Sequence, residues 1–397
     1  MMILGAGTFQ VPAIRKAKEL GYHVIAVDYD EHAAGFQYAD TRLLVSTLDQ
    51  EEVYRQALKL KPDVIITSAS DGPVQTVAYV NQKLGRELDI SLEDAVCATN
   101  KAFMRRRLKA YDVPIPHFYV VSNVDEYRNA VSRFEERCIV KPADNAGSRG
   151  VKLVDKSHQA NIDDTYFYSK KYSRTGTVLV EEFLEGPEVS VESFTVGGVT
   201  SIIAITDKTV TPPPFFVEIG HSQQSLLNEK VQTKIKEITQ KAIHAINIIN
   251  GPSHTEVKIT NEGPKIIELA ARLGGDFITS RLVPLSTGVD MVGNSVLQAV
   301  KQPIDLSIKF NRGSAIRFVF AQSGMITGIE GVESAESIEG VQEVAIYKQK
   351  GDRVFGLESS DGRIGHVIAS AETPEQAIAI CERAKSAIQI EVAAELF

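Results

Sequence analysis

Residues 254–260 read His-Thr-Glu-Val-Lys-Ile-Thr, residues 261–264 read Asn-Glu-Gly-Pro, and residues 265–272 read Lys-Ile-Ile-Glu-Leu-Ala-Ala-Arg. The Asn-Glu-Gly-Pro stretch is a strong turn signal between two strand-like runs, so this region predicts a β-hairpin. Counted inward from the turn, Glu256 and Glu268 fall at about the same height on the two strands. The hairpin therefore predicts two carboxylates that face each other.

Two facing carboxylates repel each other unless a cation lies between them, and hard oxygen ligands favour Mg²⁺. Glu268 lies in an otherwise apolar run at 266–271, where an unpaired carboxylate would be expensive. The sequence therefore favours a metal site at Glu256 and Glu268 over an exposed hairpin that merely carries charges. Arg272 follows four residues after Glu268, and its guanidinium could grip a transferring phosphoryl group.

A lysine and a glycine-containing loop precede this hairpin in the chain. Lys141 ends a strand predicted over 138–141, and residues 144–150 form a loop that contains Ser148. A lysine that points from a strand toward a flexible loop can neutralise phosphate charge while the loop amides close over it. The region predicts a phosphate site, although a solvated edge charge is the default interpretation of the lysine taken alone.

Three carboxylates lie at the ends of the next strands. Glu181 and Glu182 end the strand predicted over 178–181. Glu188 begins the strand predicted over 188–195, which forms a hairpin with 200–206. The hairpin at 254–272 shifts the interpretation of these carboxylates from solvated edge charges toward a site.

The first ninety or so residues alternate strand-like and helix-like patterns, which predicts βαβ units and a parallel sheet. A strand at 2–4 runs into Gly5-Ala6-Gly7 ahead of a helix, and Asp28 ends the next strand about twenty residues on. These features resemble half of a dinucleotide-binding fingerprint, but Gln10 stands where the third glycine would be. A tight strand-to-helix turn in a Rossmann-like domain is therefore favoured over NAD binding.

Pattern changes along the chain predict three domains. Residues 1–95 form a Rossmann-like N-terminal domain, residues 96–304 a second domain, and residues 305–397 a small α+β domain. The predicted fold class is a multidomain combination of α/β and α+β units.

Composition excludes several classes of protein. The chain has 397 residues and a net charge of −8, so nucleic acid is not expected as the main partner. Its three cysteines are far apart and are expected to be packing residues in a reducing cytosol. Neither a basic leader nor an apolar run of about 20 residues is present, so no signal peptide or membrane span is predicted. We expect a cytoplasmic protein.

The motifs occur in an order that resembles the ATP-grasp superfamily. They are Asn100-Lys101, Val140-Lys141-Pro142 with its glycine loop, residues 180–186 (Val-Glu-Glu-Phe-Leu-Glu-Gly), and the hairpin that carries Glu256, Glu268 and Arg272. The resemblance covers nearly the whole chain. It implies a Rossmann-like pre-ATP-grasp domain, an ATP-grasp fold with a lid subdomain at about 113–184, and a small C-terminal α+β domain.

Two further stretches indicate which group of enzymes within the superfamily the chain resembles most. Residues 216–221 (Phe-Val-Glu-Ile-Gly-His) and 251–258 (Gly-Pro-Ser-His-Thr-Glu-Val-Lys) look most like the L-amino-acid ligases that make dipeptides, the bacilysin-synthetase type. Those enzymes share general similarity with carbamoyl-phosphate synthetase domains and with purine-pathway carboxylate ligases.

The resemblance implies a nucleotide site and a metal site. Lys101 and Lys141 would contact the ATP phosphates, Glu182 and Leu184 would border the adenine, and Glu188 would hold the ribose. The full nucleotide-binding set is Lys101, Lys141, Ser148, Glu181, Glu182, Leu184 and Glu188. Glu256 and Glu268 would coordinate Mg²⁺ or Mn²⁺. Many relatives have Asn where this chain has Ala270, which leaves the number of metals open.

The resemblance also implies a reaction centre. Arg272 would stabilise the γ-phosphoryl group and the acyl-phosphate, with Lys141 as the second catalytic residue. The substrate set is Glu218, His221, Arg272, Gly274 and Gly275.

The implied activity is that of an ATP-dependent ligase that activates a carboxylate as an acyl-phosphate, joins it to an amine, and releases ADP and phosphate. Amino acids are the expected substrates, giving a dipeptide-type amide bond. The alternatives are activation of bicarbonate or formate, as in carbamoyl-phosphate or purine-pathway enzymes, and a non-catalytic ATP-binding regulatory protein. The expected partners are small molecules, without nucleic acid or membrane, and a homodimer is left open.

Two groups of side chains have competing interpretations. His221 is a site candidate because it lies three residues after Glu218, and the prolines at 212–214 stiffen the segment that leads to both. The competing interpretation is that a single histidine is often only a loop residue. The Arg105-Arg106-Arg107 run is expected to mark a solvated helix face rather than a phosphate site.

Overall fold

The computed structural model of the protein describes residues 1–145, 147–157, 162–213, 215–357 and 359–393. Ala146 of the predicted loop and Pro214 of the proline run lie outside the described residues. The α-helices are α1 (Val11–Glu19), α2 (Gln50–Leu60), α3 (Gly72–Lys83), α4 (Leu92–Thr99), α5 (Lys101–Ala110), α6 (Val124–Ser132), α7 (Asp163–Lys171), α8 (Glu229–Ile246), α9 (Val283–Thr287), α10 (Met291–Ala299), α11 (Val332–Glu336) and α12 (Pro374–Ala387).

The strands are β1 (Met2–Leu4), β2 (Ile25–Asp28), β3 (Thr41–Leu44), β4 (Ile65–Thr67), β5 (Phe118–Val121), β6 (Arg137–Pro142), β7 (Lys152–Asp155), β8 (Val178–Glu182), β9 (Glu188–Val196), β10 (Val199–Val210), β11 (Glu218–Gln223), β12 (Gly251–Thr260), β13 (Gly263–Ala270), β14 (Gly313–Val319), β15 (Gly324–Glu330), β16 (Val341–Ile346), β17 (Arg353–Val354), β18 (Gly365–Ala371) and β19 (Gln389–Ala393). They form four sheets.

The N-terminal sheet is parallel, in the order β3-β2-β1-β4. All three side chains of β1 are fully buried, as a central strand covered on both faces requires. The predicted alternation of strands and helices in this region is confirmed.

The Gly5-Ala6-Gly7 turn has the features of a structural turn. Gly5 has a φ of +101°, a conformation that favours glycine. The Ala6 N–H donates to Asp28 Oδ2 at 2.8 Å, so the carboxylate at the end of β2 is bonded within the turn. The Gln10 side chain lies over Gly5, where an added Cβ would come within 3.0 Å of it.

The second sheet is antiparallel, in the order β5-β8-β6-β7. The predicted strands at 138–141 and 178–181 are confirmed as β6 and β8. Helices α6 and α7 contribute the buried Tyr127 and Tyr166 to its apolar core.

The largest sheet has eight strands in the order β13-β12-β9-β10-β11-β14-β18-β16, and every neighbouring pair is antiparallel. Both predicted hairpins are present, as β9–β10 and β12–β13. Val189, Val191 and Val257 on one face of this sheet pack in a core with apolar residues of α5 and α8. The other face of β9 and β12 carries the polar side chains of Glu188, Glu192, His254 and Glu256.

The strands after residue 305 are joined to the same large sheet, because β14 pairs with β11 and β18 pairs with β14. Helix α12 packs on β14 and β18, and β15, β17 and β19 form a small separate sheet. The α+β content predicted for this region is present, but its main strands extend the central sheet. The domain boundaries themselves remain predictions.

In the described part of the chain, no helix is both long and apolar enough to cross a membrane. Cys97, Cys138 and Cys381 are buried free thiols, as expected for packing residues.

Candidate active site

A cleft lies between the sheet formed by β5, β8, β6 and β7 and the polar face of the large sheet. Ten predicted site residues line it: Lys101, Lys141, Ser148, Glu181, Glu182, Leu184, Glu188, Glu218, Glu256 and Glu268. Four others, His221, Arg272, Gly274 and Gly275, are not among the side chains that line this cleft.

Alternation along β12 explains the polar floor. His254, Glu256 and Lys258 point to the cleft side of the strand, while Val257 between them packs in the apolar core. The strand register sets His254 beside Glu192 of β9. The motif at 254–258 is thus a strand with one polar and one apolar face.

Glu256 and Glu268 are directly opposite each other on β12 and β13, which confirms the register predicted from the turn. Glu268 Oε1 lies 2.9 Å from Lys101 Nζ, and Glu256 Oε1 lies 3.1 Å from Lys208 Nζ. Burial alone would raise the pKa of Glu256, but Lys208 and His254 together hold the pKa well below its ordinary value. Glu256 is therefore ionised, and each carboxylate of the pair has an ammonium beside it.

This carboxylate pair fits a metal that is shared with a nucleotide. Ala270 offers no donor side chain, and the described residues contain no group of three His, Cys, Asp or Glu side chains that could hold a metal by themselves. Mg²⁺ is commonly bound through one or two carboxylates together with waters and substrate phosphates. Glu256 and Glu268 suit Mg²⁺, or Mn²⁺, in that arrangement.

Arg105 is buried beneath the cleft, so the expectation of a solvated helix face is wrong for this residue. Its side chain is fully buried, and its Nε and Nη2 atoms bond the Glu181 carboxylate at 2.8 and 3.2 Å. Arg105 lies one helical turn after Lys101, so both side chains project from the same face of α5. The four-residue spacing from Lys101 is therefore the sequence signal that could have predicted an inward-pointing Arg105. Of the three arginines, Arg106 alone is exposed.

Glu181 positions Lys141. Lys141 Nζ lies 2.6 Å from Glu181 Oε2, and both side chains are buried. Burial alone would raise the pKa of Glu181, but Arg105 and Lys141 hold it below its ordinary value. Burial lowers the pKa of Lys141. A direct contact between Glu181 and the nucleotide remains a prediction.

Glu182 is held away from Glu181, because consecutive residues of a strand point to opposite sides. Its two carboxylate oxygens lie 3.1 and 3.2 Å from Lys265 Nζ, and Oε2 accepts from the His117 backbone N–H at 3.0 Å. Leu184 is buried in the cleft lining. Their role beside the adenine remains a prediction.

Lys208 is absent from the predicted set and lies at the centre of the observed one. Its Nζ is 2.7 Å from Glu188, 3.1 Å from Glu256 and 3.4 Å from Glu218. Burial alone would lower the pKa of Lys208, but the three carboxylates raise it well above its ordinary value. The sequence did contain a signal for Lys208. Counted outward from the turn at 197–198 of the predicted hairpin, residues 207 and 208 fall opposite Glu188.

Glu218 and His221 form a cluster with two residues from distant parts of the chain, Asp276 and Arg363. His221 Nε2 and Arg363 Nη1 lie 3.3 and 2.9 Å from the same oxygen, Asp276 Oδ2. Arg363 Nη2 lies 3.3 Å from Glu218 Oε2. The Arg363 guanidinium also stacks over the Phe318 ring, 3.8 Å from its centroid. This cluster joins β11 to the segment before β18.

His221 is only 1% exposed and belongs to β11, so its interpretation as a loop residue is wrong. Its Nδ1 is buried and has no hydrogen-bond partner among the described residues. Burial alone would raise the pKa of Asp276, but His221 and Arg363 hold it well below its ordinary value.

Arg272 forms a pair with Asp71, which precedes α3. Arg272 Nε and Nη2 bond the two Asp71 oxygens at 2.8 and 3.1 Å, and Nη1 bonds the Leu273 carbonyl at 3.0 Å. Burial alone would lower the pKa of Arg272, but Asp71, Glu268 and Glu256 raise it. The guanidinium is therefore within electrostatic reach of the carboxylate pair.

Gly274 packs directly on a buried charged pair. A Cβ at this position would lie 2.7 Å from Glu192 Oε2 and 2.8 Å from His254 Nδ1. These two side chains bond each other at 2.7 Å, and His254 Nε2 lies 3.7 Å from Glu256. Burial alone would lower the pKa of His254, but Glu192 raises it to about 9. Gly275, in contrast, would place a Cβ in open space.

The predicted lid loop is anchored at its start. The Asp144 carboxylate accepts from the backbone N–H groups of Arg174 and Thr175 at 3.0 and 2.9 Å. Lys101 Nζ donates to the Asn145 carbonyl at 2.6 Å. Ser148, which lines the cleft, has a φ of +57°. Movement of this loop remains a prediction.

Two family profiles match this chain. Residues 134–280 match the profile described as ATP-grasp domain, and residues 317–393 match L-amino acid ligase C-terminal domain 2. The chain therefore contains an ATP-grasp domain and an L-amino acid ligase C-terminal domain. The first match contains Lys141, Glu256, Glu268 and Arg272, and the second contains Arg363.

The chain is 25% identical to the L-arginine-specific L-amino acid ligase of Bacillus subtilis, over 77% of this chain and 74% of that protein. The crystal structure of an L-amino acid ligase from Bacillus licheniformis superposes with a TM-score of 0.84 at 20% identity, covering 99% of this chain and 98% of that one. A phosphoribosylglycinamide synthetase from Anaerococcus prevotii superposes with a TM-score of 0.78 at 23% identity, covering 99% of both chains. The protein is an ADP-forming carboxylate–amine ligase.

Proposed function

We propose that this ligase joins two amino acids through an acyl-phosphate intermediate. The observation that carries the proposal is the position of Lys208, whose ammonium contacts both Glu256 and Glu218. The carboxylate suited to the metal and the carboxylate of the Glu218–Asp276–Arg363 cluster are therefore separated by a single side-chain group. A substrate bound at that cluster would lie beside the ATP phosphates.

The cluster has charges of both signs, which match a zwitterionic substrate. Glu218 and Asp276 can pair with a substrate ammonium, while the planar guanidinium of Arg363 can donate hydrogen bonds to a substrate carboxylate. His221, with Nε2 at 3.3 Å from Asp276, can take part in removing a proton from the attacking amine. A substrate that lacks an ammonium would leave Glu218 paired only with Lys208 and Arg363, and Asp276 paired only with Arg363 and His221.

The proposed reaction has two steps. A carboxylate oxygen of the first amino acid attacks the γ-phosphorus of ATP, and the bond from that phosphorus to the bridging oxygen breaks, so that ADP leaves with the electron pair. The nitrogen of the second amino acid then attacks the acyl carbon and loses its proton. Phosphate leaves with the former carboxylate oxygen, and an amide bond remains.

The side chains of the cleft act mainly through charge and position, because phosphoryl transfer needs little covalent help from the protein. Lys101 and Lys141 supply positive charge to the ATP phosphates. Arg272 offers a guanidinium to the transferring group. Mg²⁺ held by Glu256 and Glu268 would neutralise phosphate charge when bound.

Bicarbonate or formate is the second candidate for the activated acid. The observation in its favour is the similarity to the formate-dependent phosphoribosylglycinamide formyltransferase of Haemophilus ducreyi, which is 23% identical over 99% of this chain and 96% of that protein. The mixed-charge cluster favours an amino acid, because neither bicarbonate nor formate carries an ammonium. A non-catalytic nucleotide-binding protein is disfavoured by the retained Lys101, Lys141, Glu256, Glu268 and Arg272.

A pairwise matrix of amino acids tests the proposal. Each pair is incubated with Mg²⁺ and ATP, phosphate release is measured, and the products are identified by mass spectrometry. We expect at least one pair to stimulate phosphate release and to give a product with the mass of the two amino acids minus water. Release that is stimulated by bicarbonate or formate, and by no amino acid, would support the second candidate.

A further inference from the structure

We propose that Asp71 is the positioning residue that presents Arg272 to the transferring phosphoryl group. This inference rests on the proposed function, because that function supplies the phosphoryl group to which Arg272 would bind. It concerns a residue outside the cleft, 201 positions away from Arg272 in sequence. Asp71 lies in the segment between β4 and α3, next to the N-terminal parallel sheet.

The donors of Arg272 can be counted. A guanidinium has five N–H bonds, one on Nε and two on each terminal nitrogen. Three of them are used by described residues: Nε and Nη2 bond Asp71, and Nη1 bonds the Leu273 carbonyl. One N–H on Nη1 and one on Nη2 remain, and both can donate to oxygens of a phosphoryl group or carboxylate.

Asp71 therefore occupies the Nε–Nη2 edge of the guanidinium and leaves the remaining N–H groups free to bind another anion. A carboxylate that binds the Nε–Nη2 edge at both oxygens fixes the plane of the group as well as its position. Arg272 itself is mostly buried, with 13% of its side chain exposed, and Asp71 has 15% exposed. The arginine would otherwise have to lose its rotamer freedom each time a phosphoryl group arrives.

The competing explanation is an ion pair that only ties the N-terminal sheet to the rest of the chain. That role would affect stability and leave the chemical step unchanged in the folded enzyme. The positioning role predicts a loss in kcat with little change in the KM for ATP, because the ATP contacts are assigned to other residues.

The first experiment compares Asp71→Asn and Asp71→Ala with the wild type. We expect kcat to fall by about 10- to 100-fold in both variants while the KM for ATP changes by less than about threefold. Arg272→Lys should lose about as much kcat as Arg272→Ala, because a lysine cannot reproduce the planar fork. Asp94→Asn is the matched control, since Asp94 forms a similar 2.9 Å pair with Arg107 away from the cleft. It should lower the melting temperature and leave kcat within about twofold.

The second experiment is a double-mutant cycle. If Asp71 acts through Arg272, the Asp71→Ala/Arg272→Ala double variant should lose no more kcat than Arg272→Ala alone. The double variant should also have a higher melting temperature than Arg272→Ala, because the single variant leaves the Asp71 carboxylate buried without its cation. Two losses in kcat that multiply would contradict the positioning role. So would kcat in both Asp71 variants within about twofold of the wild type.

Failure of the proposed function would appear in the wild type itself, as phosphate release that no amino acid stimulates. In that event the same variants are compared by their ATP hydrolysis without an acceptor, which also requires transfer of the γ-phosphoryl group. An unchanged hydrolysis rate in both Asp71 variants would then overturn the inference on Asp71.

Discussion

Glu256 and Glu268 lie directly opposite each other on β12 and β13, and each is neutralised by a lysine from a different part of the chain. Lys101 reaches Glu268 from the start of α5, whereas Lys208 reaches Glu256 from β10. The repulsion expected between two facing carboxylates is thus offset within the protein. A metal bound to the pair would compete with these lysines, which would then be available to the phosphates.

Glu268→Gln should abolish turnover while the protein stays folded. The substitution removes one negative ligand from a site that must hold a divalent cation beside the ATP phosphates. We expect Mg²⁺-dependent ATP binding to weaken as well, measured by calorimetry at several Mg²⁺ concentrations. Glu262→Gln, in the exposed turn of the same hairpin, is the matched control and should leave both quantities unchanged. Phosphate release at the wild-type rate in Glu268→Gln would show that the hairpin does not bind the metal.

Lys208→Met should make the protein dependent on Mg²⁺ for its stability. The substitution leaves three carboxylates without their shared cation, and breaking such a buried pair typically costs about 3–5 kcal/mol. Added Mg²⁺ should recover part of the loss by binding beside Glu256. We therefore expect Mg²⁺ to raise the melting temperature of this variant more than that of the wild type. Lys236→Met, on the exposed face of α8, is the control. Equal Mg²⁺ shifts in Lys208→Met and the wild type would exclude this account of Lys208.

Glu218→Ala and His221→Ala should separate the amino-acid site from the nucleotide site. Both side chains belong to the mixed-charge cluster, and neither has an assigned contact with ATP. Nucleotide affinity should stay within a few fold of the wild type, while the KM for one amino acid rises much more than that for the other. Steady-state kinetics with each substrate varied in turn measures this difference. Unchanged KM and kcat in both variants would place the amino-acid site elsewhere.

The loop at 144–150 should become protected when nucleotide binds. Its glycines and small polar residues offer little apolar contact, whereas ATP phosphates would give the backbone N–H groups a partner. Limited proteolysis with a protease that cuts after arginine should cleave at Arg149 more slowly in the presence of a non-hydrolysable ATP analogue. Equal cleavage rates with and without the analogue would contradict closure of this loop.

The hairpin and its carboxylate pair could be predicted because both depend on local sequence. A turn signal at 261–264 fixes the register of its two flanking strands, and register alone decides that Glu256 faces Glu268. The same local logic places Lys141 at the end of β6 and Glu188 at the start of β9. These are features that a strand and its own turn determine.

The partners of Arg272 and Glu218 could not be predicted, because they come from distant parts of the chain. Asp71 and Arg363 lie 201 and 145 positions away from those residues, and no local pattern relates such positions. Arg105 illustrates a different failure. Three consecutive basic residues indicate a solvated face, yet a helix turns by about 100° per residue and directs only one of the three inward.

The transfer of oxygen from substrate to phosphate tests the central claim most directly. An amino acid labelled with ¹⁸O in both carboxylate oxygens is incubated with the enzyme, ATP, Mg²⁺ and the second amino acid, and the released phosphate is analysed by mass spectrometry. Because the acyl-phosphate breaks between carbon and oxygen, we predict one ¹⁸O atom in the phosphate for each amide bond formed. Amide product accompanied by unlabelled phosphate would contradict activation of the amino-acid carboxylate as an acyl-phosphate.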